Sequence, residues 1–248
     1  MNPTRTEAIA SLTTTGMPYA LENGLINGRP CRFFTHAPHT LGQLFADNVS
    51  DKTFLVYEDE RLTFSEVYDQ AMQLANILAS EFGVEHGDRV AISMRNYPEW
   101  VVSFAAIISA GAVNVSMNSW WTEDEMNFAL EDSGATVYIC DQERYDVGAA
   151  SCAKLGIKVL AVRTDKPLAA GVDKWDEVLP LGDAHPGADI NPDDDATILY
   201  TSGTTGRPKG AVSTHRAIVS SLMGFSSRNA VLTLAGTKLK EVTGPEIP

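Results

Sequence analysis

The densest chemistry in the chain lies at residues 201–210, Thr-Ser-Gly-Thr-Thr-Gly-Arg-Pro-Lys-Gly, where four hydroxyl side chains, three glycines and a lysine fall within ten positions. Thr201, Ser202, Thr204 and Thr205 supply short hydroxyl donors, and Lys209 supplies a full positive charge. Gly203, Gly206 and Gly210 allow positive φ and let backbone N–H groups approach an anion. This is the inventory of a polyphosphate cradle, and charge-assisted bonds of this kind are among the stronger ones a protein can make. The spacing is not that of a Walker A loop. Lys209 stands three residues after Gly206 and is followed by Gly210 rather than by Ser or Thr. The G-x-G-x-x-G dinucleotide fingerprint is absent here as well. A flexible Gly/Ser/Thr linker has a related composition, but a linker has no use for Pro208-Lys209-Gly210 between two apolar segments.

The other candidates weigh less. His36 and His39 are three apart with Pro38 between them and no acidic ligand nearby, which suits a loop pair better than a metal site. His215 follows the loop directly and is expected to cap or support the next helix rather than to line a substrate site. Asp193-Asp-Asp195 could be taken for a cation site, but its polar setting predicts a solvated turn, and no metal-binding residue is assigned. Trp120 and Trp121 are expected to pack against core or subdomain neighbours. Cys31, Cys140 and Cys152 form no CxxC pair or Cys/His cluster, so neither a disulfide framework nor zinc is indicated and a reducing compartment is the simplest setting.

The elements that must position the loop can be read from periodicity. Segments 53–57 and 62–64 flank Glu58-Asp-Glu-Arg61 as a β-hairpin. Thr63 with Glu66 forms a capping box for a helix running to about Glu81, and Gly83 ends it. A strand over 89–94 leads to a helix capped by Asn96, with Pro98 in its first turn, that stops before Gly111. Strand 112–117, a second capping box at Thr122 and Glu125 with a helix to Asp132, strand 135–140, a helix over about 143–155 and strand 157–162 continue the alternation. A strand over 196–200, the loop, a short strand over 211–213 and a helix over 215–226 follow. The expected domains are an irregular segment 1–50 with turns at Asn23-Gly24 and Asn27-Gly28, an α/β subdomain 51–163, a connector 164–195 with a short helix near Trp175, and the start of a second subdomain at 196–248. Strands joined by single helices imply an α/β fold, a mainly parallel sheet with helices on both faces.

Composition sets the outer limits. The chain has 248 residues, 44% hydrophobic and 21% charged, which is a globular balance and excludes disorder. At about 150 residues per domain, that length makes one large domain or two modest ones. Thirty-two acidic against nineteen basic residues give a charge of −13, which opposes binding to nucleic-acid backbones or anionic membranes. The amino terminus has no apolar run of signal-peptide type, so a cytoplasmic location is expected. The most apolar stretch, 101–115, is interrupted by Ser103, Ser109 and Asn114, and it is shorter than the roughly 18 residues a membrane span needs.

Residues 198–209 resemble, at every position, the phosphate-binding signature of the adenylate-forming superfamily of acyl- and aryl-CoA synthetases, nonribosomal-peptide adenylation domains and luciferases. Leu62-Thr-Phe-Ser-Glu66, Gly87-Asp-Arg-Val-Ala-Ile92, Asn96-Tyr-Pro-Glu-Trp100, Ala110-Gly-Ala112, Asn118-Ser-Trp-Trp-Thr122 and Asp132-Ser-Gly-Ala135 extend the resemblance over about residues 40–230. The double Trp is similar to the fatty-acyl-CoA synthetase branch. The resemblance implies ATP-dependent activation of a carboxylic acid, in which the carboxylate attacks the α-phosphate of ATP to give an acyl-adenylate and pyrophosphate. A thiol, usually of coenzyme A, then displaces AMP. By the same resemblance Thr201, Ser202, Gly203, Thr204, Thr205, Gly206 and Lys209 would hold the β- and γ-phosphates with Mg²⁺, and Lys209 would stabilise the departing pyrophosphate.

Family members are longer, and their adenine site with its metal-binding Glu, ribose-binding Asp and small carboxy-terminal domain with a catalytic Lys have no match in these residues. The 248 residues are therefore expected to be an amino-terminal portion of a CoA ligase, an incomplete large domain that is inactive alone and self-associates through an incomplete sheet edge. An aryl- or amino-acid-adenylating enzyme and a non-catalytic nucleotide-binding remnant are the alternatives.

Overall fold

The computed structural model describes residues 2–181, 183–185, 187–201 and 207–236. In chain order the elements are α1 (Arg5–Thr13), β1 (Leu21–Ile26), β2 (Arg29–Phe34), α2 (Leu41–Ala46), β3 (Thr53–Tyr57), β4 (Glu60–Thr63), α3 (Phe64–Ser80), β5 (Arg89–Ser93), α4 (Pro98–Ser109) and β6 (Val113–Ser116). After these come α5 (Glu123–Ser133), β7 (Ala135–Asp141), α6 (Gln142–Leu155), β8 (Lys158–Val162), β9 (Val172–Lys174), α7 (Trp175–Val178), β10 (Asp195–Thr201), β11 (Lys209–Thr214) and α8 (His215–Leu234).

A seven-stranded sheet in the order β11-β10-β6-β5-β7-β8-β9 organises one compact unit, His39–His215. Every neighbouring pair is parallel except β10 and β11. The alternation of side chains along a strand divides the core between the two faces. Val90, Ile92, Val137, Ile139, Leu160 and Val162 point to one face, where α3 and α4 bring Leu74, Leu78 and Ile107. Ala91, Tyr138, Cys140 and Val159 point to the other, against Met126 and Leu130 of α5 and Cys152 of α6. Both faces of the central strands are dry, as a parallel sheet requires. Each fully buried large apolar side chain contributes about 1.5–3 kcal/mol.

The capping boxes form as expected: Thr63 accepts from the Glu66 amide at 3.1 Å and Thr122 from the Glu125 amide at 3.5 Å, with each glutamate returning to the cap amide. Gly134 ends α5 in the left-handed region at φ 62°, which a side chain would strain. α4 departs from expectation, because its cap is Tyr97, with no side-chain cap bond, and Asn96 lies outside. Pro98 at the first helical position presets the backbone, so no capping side chain is needed to start the turn.

Residues 1–50 are not irregular. Thr4 and Glu7 make a third capping box for α1, whose apolar residues form no stripe and bury only Ala8, so periodicity does not reveal it. β1 and β2 form an antiparallel hairpin turning at Asn27-Gly28, with φ 49° and 74°. The other expected turn, at Asn23-Gly24, lies inside β1, where Gly24 pairs with Cys31 and a Cβ would sit 2.8 Å from the Phe33 ring. The stretch 164–195 contributes β9, which pairs in parallel with β8. β10 joins the same sheet through β6, with Thr197 beside Asn114, so the expected boundary near 195 falls inside one sheet.

The second compact unit comprises the described residues of Met1–Pro38 and Arg216–Pro248, with α1, the β1–β2 hairpin and α8 beyond His215. Within it the Tyr19 hydroxyl and Ser226 Oγ share a hydrogen bond of 2.7 Å. α8 continues to Leu234, two turns past the expected end. No helix among the described residues is long and apolar enough to cross a membrane.

Candidate functional site

β10 and β11 are antiparallel and bring Thr201 opposite Lys209. Directly opposed residues share a face, so the Thr201 hydroxyl and the Lys209 ammonium emerge on the same side of the sheet, both exposed. The Thr201 Oγ1 reaches the Lys209 carbonyl at 3.4 Å. Ser202, Gly203, Thr204, Thr205 and Gly206 lie outside the described residues. β11 begins at Lys209, two residues before the expected strand, so the lysine projects from a paired strand. Gly210 does not use the left-handed region. Its role is close approach, because a Cβ there would stand 2.8 Å from Ile198 Cγ2 and 3.5 Å from the Tyr200 ring.

α5 lies beside both rims. The Tyr200 hydroxyl donates to Asp132 Oδ2 at 2.7 Å, and the Tyr200 ring meets Trp121 edge-on at 5.8 Å. Burial, reinforced by the Asp132 carboxylate, pushes the Tyr200 hydroxyl well above its ordinary pKa, so it stays a donor. On the other rim the Arg207 guanidinium lies 5.3 Å from the centre of the Phe128 ring. A cavity of about 460 Å³ opens there, and Asp124, Glu125 and Glu131 line it together with Phe128 and Arg207. Three carboxylates make that cavity unsuited to a polyphosphate. Phe128 is not singled out by residue type, Tyr200 is marked only by the 198–209 resemblance, and Trp121 packs as expected. Asp132 carries a sequence signal only through the Asp132-Ser-Gly-Ala135 motif.

The sheet reverses its winding at β5, which has β6 on one side and β7 on the other. Ligand crevices of α/β sheets favour such a point at the strand carboxyl ends. Here a salt-bridged network fills it. The Arg95 amide donates to Asp141 Oδ2 at 3.0 Å, and buried Arg144 bonds Asp141 at 3.2 Å, Glu143 at 2.6 Å and the Ser119 carbonyl at 2.7 and 2.8 Å. Trp120, expected to be packed, is 73% exposed and stacks on the Arg95 guanidinium at 4.1 Å. Trp121, by contrast, is partly buried against the core.

His215 is buried, its Nδ1 accepting from the Leu41 amide at 3.2 Å while its own amide donates to the Asp194 carbonyl. Burial lowers its pKa, with Asp194 opposing and His86 assisting. It supports the fold rather than lining the loop. Asp194 accepts from the Asn191 amide and pairs with His86 at 3.2 Å. His39 offers its backbone amide to Gln43 Oε1. Among the described residues no group of three His, Cys, Asp or Glu side chains could hold a metal ion. The three cysteines are free thiols, and burial raises the pKa of Cys140 and Cys152 and so disfavours their thiolates.

The AMP-binding enzyme family profile matches residues 43–239, a span that contains the whole sheet and the loop. The chain belongs to the AMP-binding enzyme family. Among curated relatives, 2-succinylbenzoate–CoA ligase of Bacillus velezensis is 33% identical over 184 residues, covering 73% of this chain and 34% of that protein. Long-chain-fatty-acid–CoA ligase FadD13 of Mycobacterium tuberculosis is 34% identical over 174 residues, covering 68% and 33%. Among solved structures, that of the anthranilate CoA ligase AuaEII in complex with anthranoyl-AMP superposes with a TM-score of 0.66 at 26% identity, covering 72% of this chain and 36% of that one. This AMP-binding chain thus spans about a third of the length of these relatives. The shared fold is the mostly parallel α/β sheet that carries Thr201 and Lys209 at one side.

Proposed function

We propose that this chain supplies the triphosphate-binding loop of an enzyme that activates a carboxylic acid with ATP and passes it to coenzyme A. The carrying observation is the β10–β11 pairing, which sets Thr201 against Lys209 with hydroxyl and ammonium on one face, at the two ends of the hydroxyl- and glycine-rich segment. In this reading Thr201, Ser202, Gly203, Thr204, Thr205 and Gly206 offer hydroxyl and backbone donors to the β- and γ-phosphates. Lys209 supplies the charge that meets pyrophosphate as it departs, which lowers the barrier to adenylation more than it aids ground-state binding. Mg²⁺ would accompany the triphosphate and screen its charge.

The acid is a fatty or other acyl acid, a reading supported by Asn118-Ser-Trp-Trp-Thr122 and by the match to a long-chain-fatty-acid ligase. An aryl acid is the second reading, favoured by the likeness to an anthranilate ligase. The setting we infer is cytoplasmic.

Titration of the chain with MgATP tests the loop. One charge-assisted bond is worth about 1.5–3 kcal/mol, so Lys209→Ala should weaken binding by roughly tenfold or more. An unchanged dissociation constant removes the lysine from ground-state binding, and an unchanged adenylation rate in the complete enzyme removes it from the site. Pyrophosphate exchange by a complete enzyme that carries this chain, with hexadecanoate set against benzoate, then separates the two acid classes.

A further inference from the structure

We propose that α5 positions the phosphate loop, with Asp132 holding the rim that enters it and Phe128 the rim that leaves it. Residues four apart on a helix lie one above the other on the same face, so Phe128 and Asp132 form a single edge of α5. Asp132 accepts from the hydroxyl of Tyr200, the residue before Thr201, at 2.7 Å. Phe128 lies under the guanidinium of Arg207, two residues before Lys209, at 5.3 Å. The two contacts therefore bracket residues 201–206 from one rigid element.

α5 is fixed independently of the loop. The Thr122–Glu125 box closes its start and Gly134 its end, while Met126, Ala129 and Leu130 are buried in the core. Trp121, just before the helix, adds an edge contact to the Tyr200 ring. The carboxylates beside Arg207, at Asp124, Glu125 and Glu131, make that side of α5 attractive to the guanidinium and repellent to phosphate. Arg207 is thus drawn towards the helix. Phe128, Asp132 and Tyr200 are positioning residues, since none of them is placed against the triphosphate.

This rests on the reading of residues 201–209 as a triphosphate loop, and two measurements keep the two ideas apart. The first is the rate of tryptic cleavage at the Lys209–Gly210 bond in the native full chain, with cleavage at Lys154 on α6 as the control for general unfolding. The second is MgATP affinity. Phe128→Ala and Asp132→Ala should each speed cleavage at Lys209 by about threefold to tenfold, the worth of one hydrogen bond or cation–π contact, and leave Lys154 unchanged. Phe128→Tyr, which keeps the ring, and Asp132→Asn, which keeps an acceptor oxygen, should restore most of the protection. Tyr200→Phe removes a single hydroxyl and should match Asp132→Ala even if the alanine variants fold poorly. Affinity for MgATP should fall in the same order. Wild-type cleavage rates at Lys209 in Tyr200→Phe and Phe128→Ala, or acceleration shared equally by Lys154, would overturn the proposal. Failure of the wild-type chain to bind MgATP sinks the triphosphate reading alone, and the cleavage ratio still decides whether α5 holds the loop.

Discussion

At the scale of single residues, polar side chains here divide into those offered to solvent at the loop rims and those consumed by the fold. His215 belongs to the second group. Its Nδ1 accepts from the Leu41 amide, so that nitrogen is unprotonated, and burial holds its pKa below the usual 6.5. Asp194 pulls the other way but does not reverse the direction. The folded-state value is thus lower than the unfolded one. Stability from this group is complete above the unfolded value and is lost as pH falls from about 6.5 towards the folded value, because the unfolded chain takes up the proton first. The slope is at most about 1.4 kcal/mol per pH unit for one group. Urea midpoints at pH 7.5 and 5.5 should therefore differ more for the wild type than for His215→Gln. Equal differences would show that His215 is not the group responsible. Glu66 and Glu125, lowered by their cap amides, act only below the carboxylate value of 4.5, outside that window. Lys209 stands out in sequence because it lies in the hydroxyl- and glycine-rich run 201–210. The burial of His215 does not, since its partner Leu41 lies 174 positions away.

Elements were legible where local signals agree with tertiary demand. Thr63 and Thr122 each combine a capping box with an apolar stripe, and both helices start where the sequence places them. α1 has the box without the stripe, and β9 is three residues long with little buried surface, so neither stands out from a polar background. The register of β11 was equally hidden, because Lys209 and Gly210 read as loop residues until pairing with Thr201 and Tyr200 is seen. α5 offers the clearest test at this scale. Its cap is exposed, so Thr122→Ala removes a hydrogen bond without making a cavity, and should destabilise the chain by about 1 kcal/mol within a range of 0.5–2. Chemical denaturation reads that directly. Thr122→Ser should recover most of the loss, and a Thr122→Ala variant as stable as the wild type would show that α5 is held by burial of Met126 and Leu130 alone.

At the scale of the whole molecule, the two sides of the sheet are unequally finished. The central strands are covered on both faces, whereas Leu199 on β10 and Val212 on β11 are 56% and 54% exposed. Among the described residues β11 is also the outermost strand on that side, so its outer backbone edge is free of a further described strand. An apolar, unpaired edge recruits other chains unless charge prevents it. Lys209 sits at the start of β11, and residues 210–212 carry no charge. The net charge of −13 acts against association at long range, but salt screens that repulsion within a Debye length of about 8 Å at physiological ionic strength. Apolar contact is not screened. The chain should therefore self-associate, and more strongly as salt is raised, the opposite of what a charge-paired interface would do. Sedimentation velocity at low and high salt checks the sign. Val212→Lys combined with Leu199→Lys places a charge on each face of the exposed edge and should return the chain to monomer at every salt concentration. A wild type that stays monomeric throughout, or a double variant that associates as strongly, would show that the β10–β11 edge is not the surface that brings copies together.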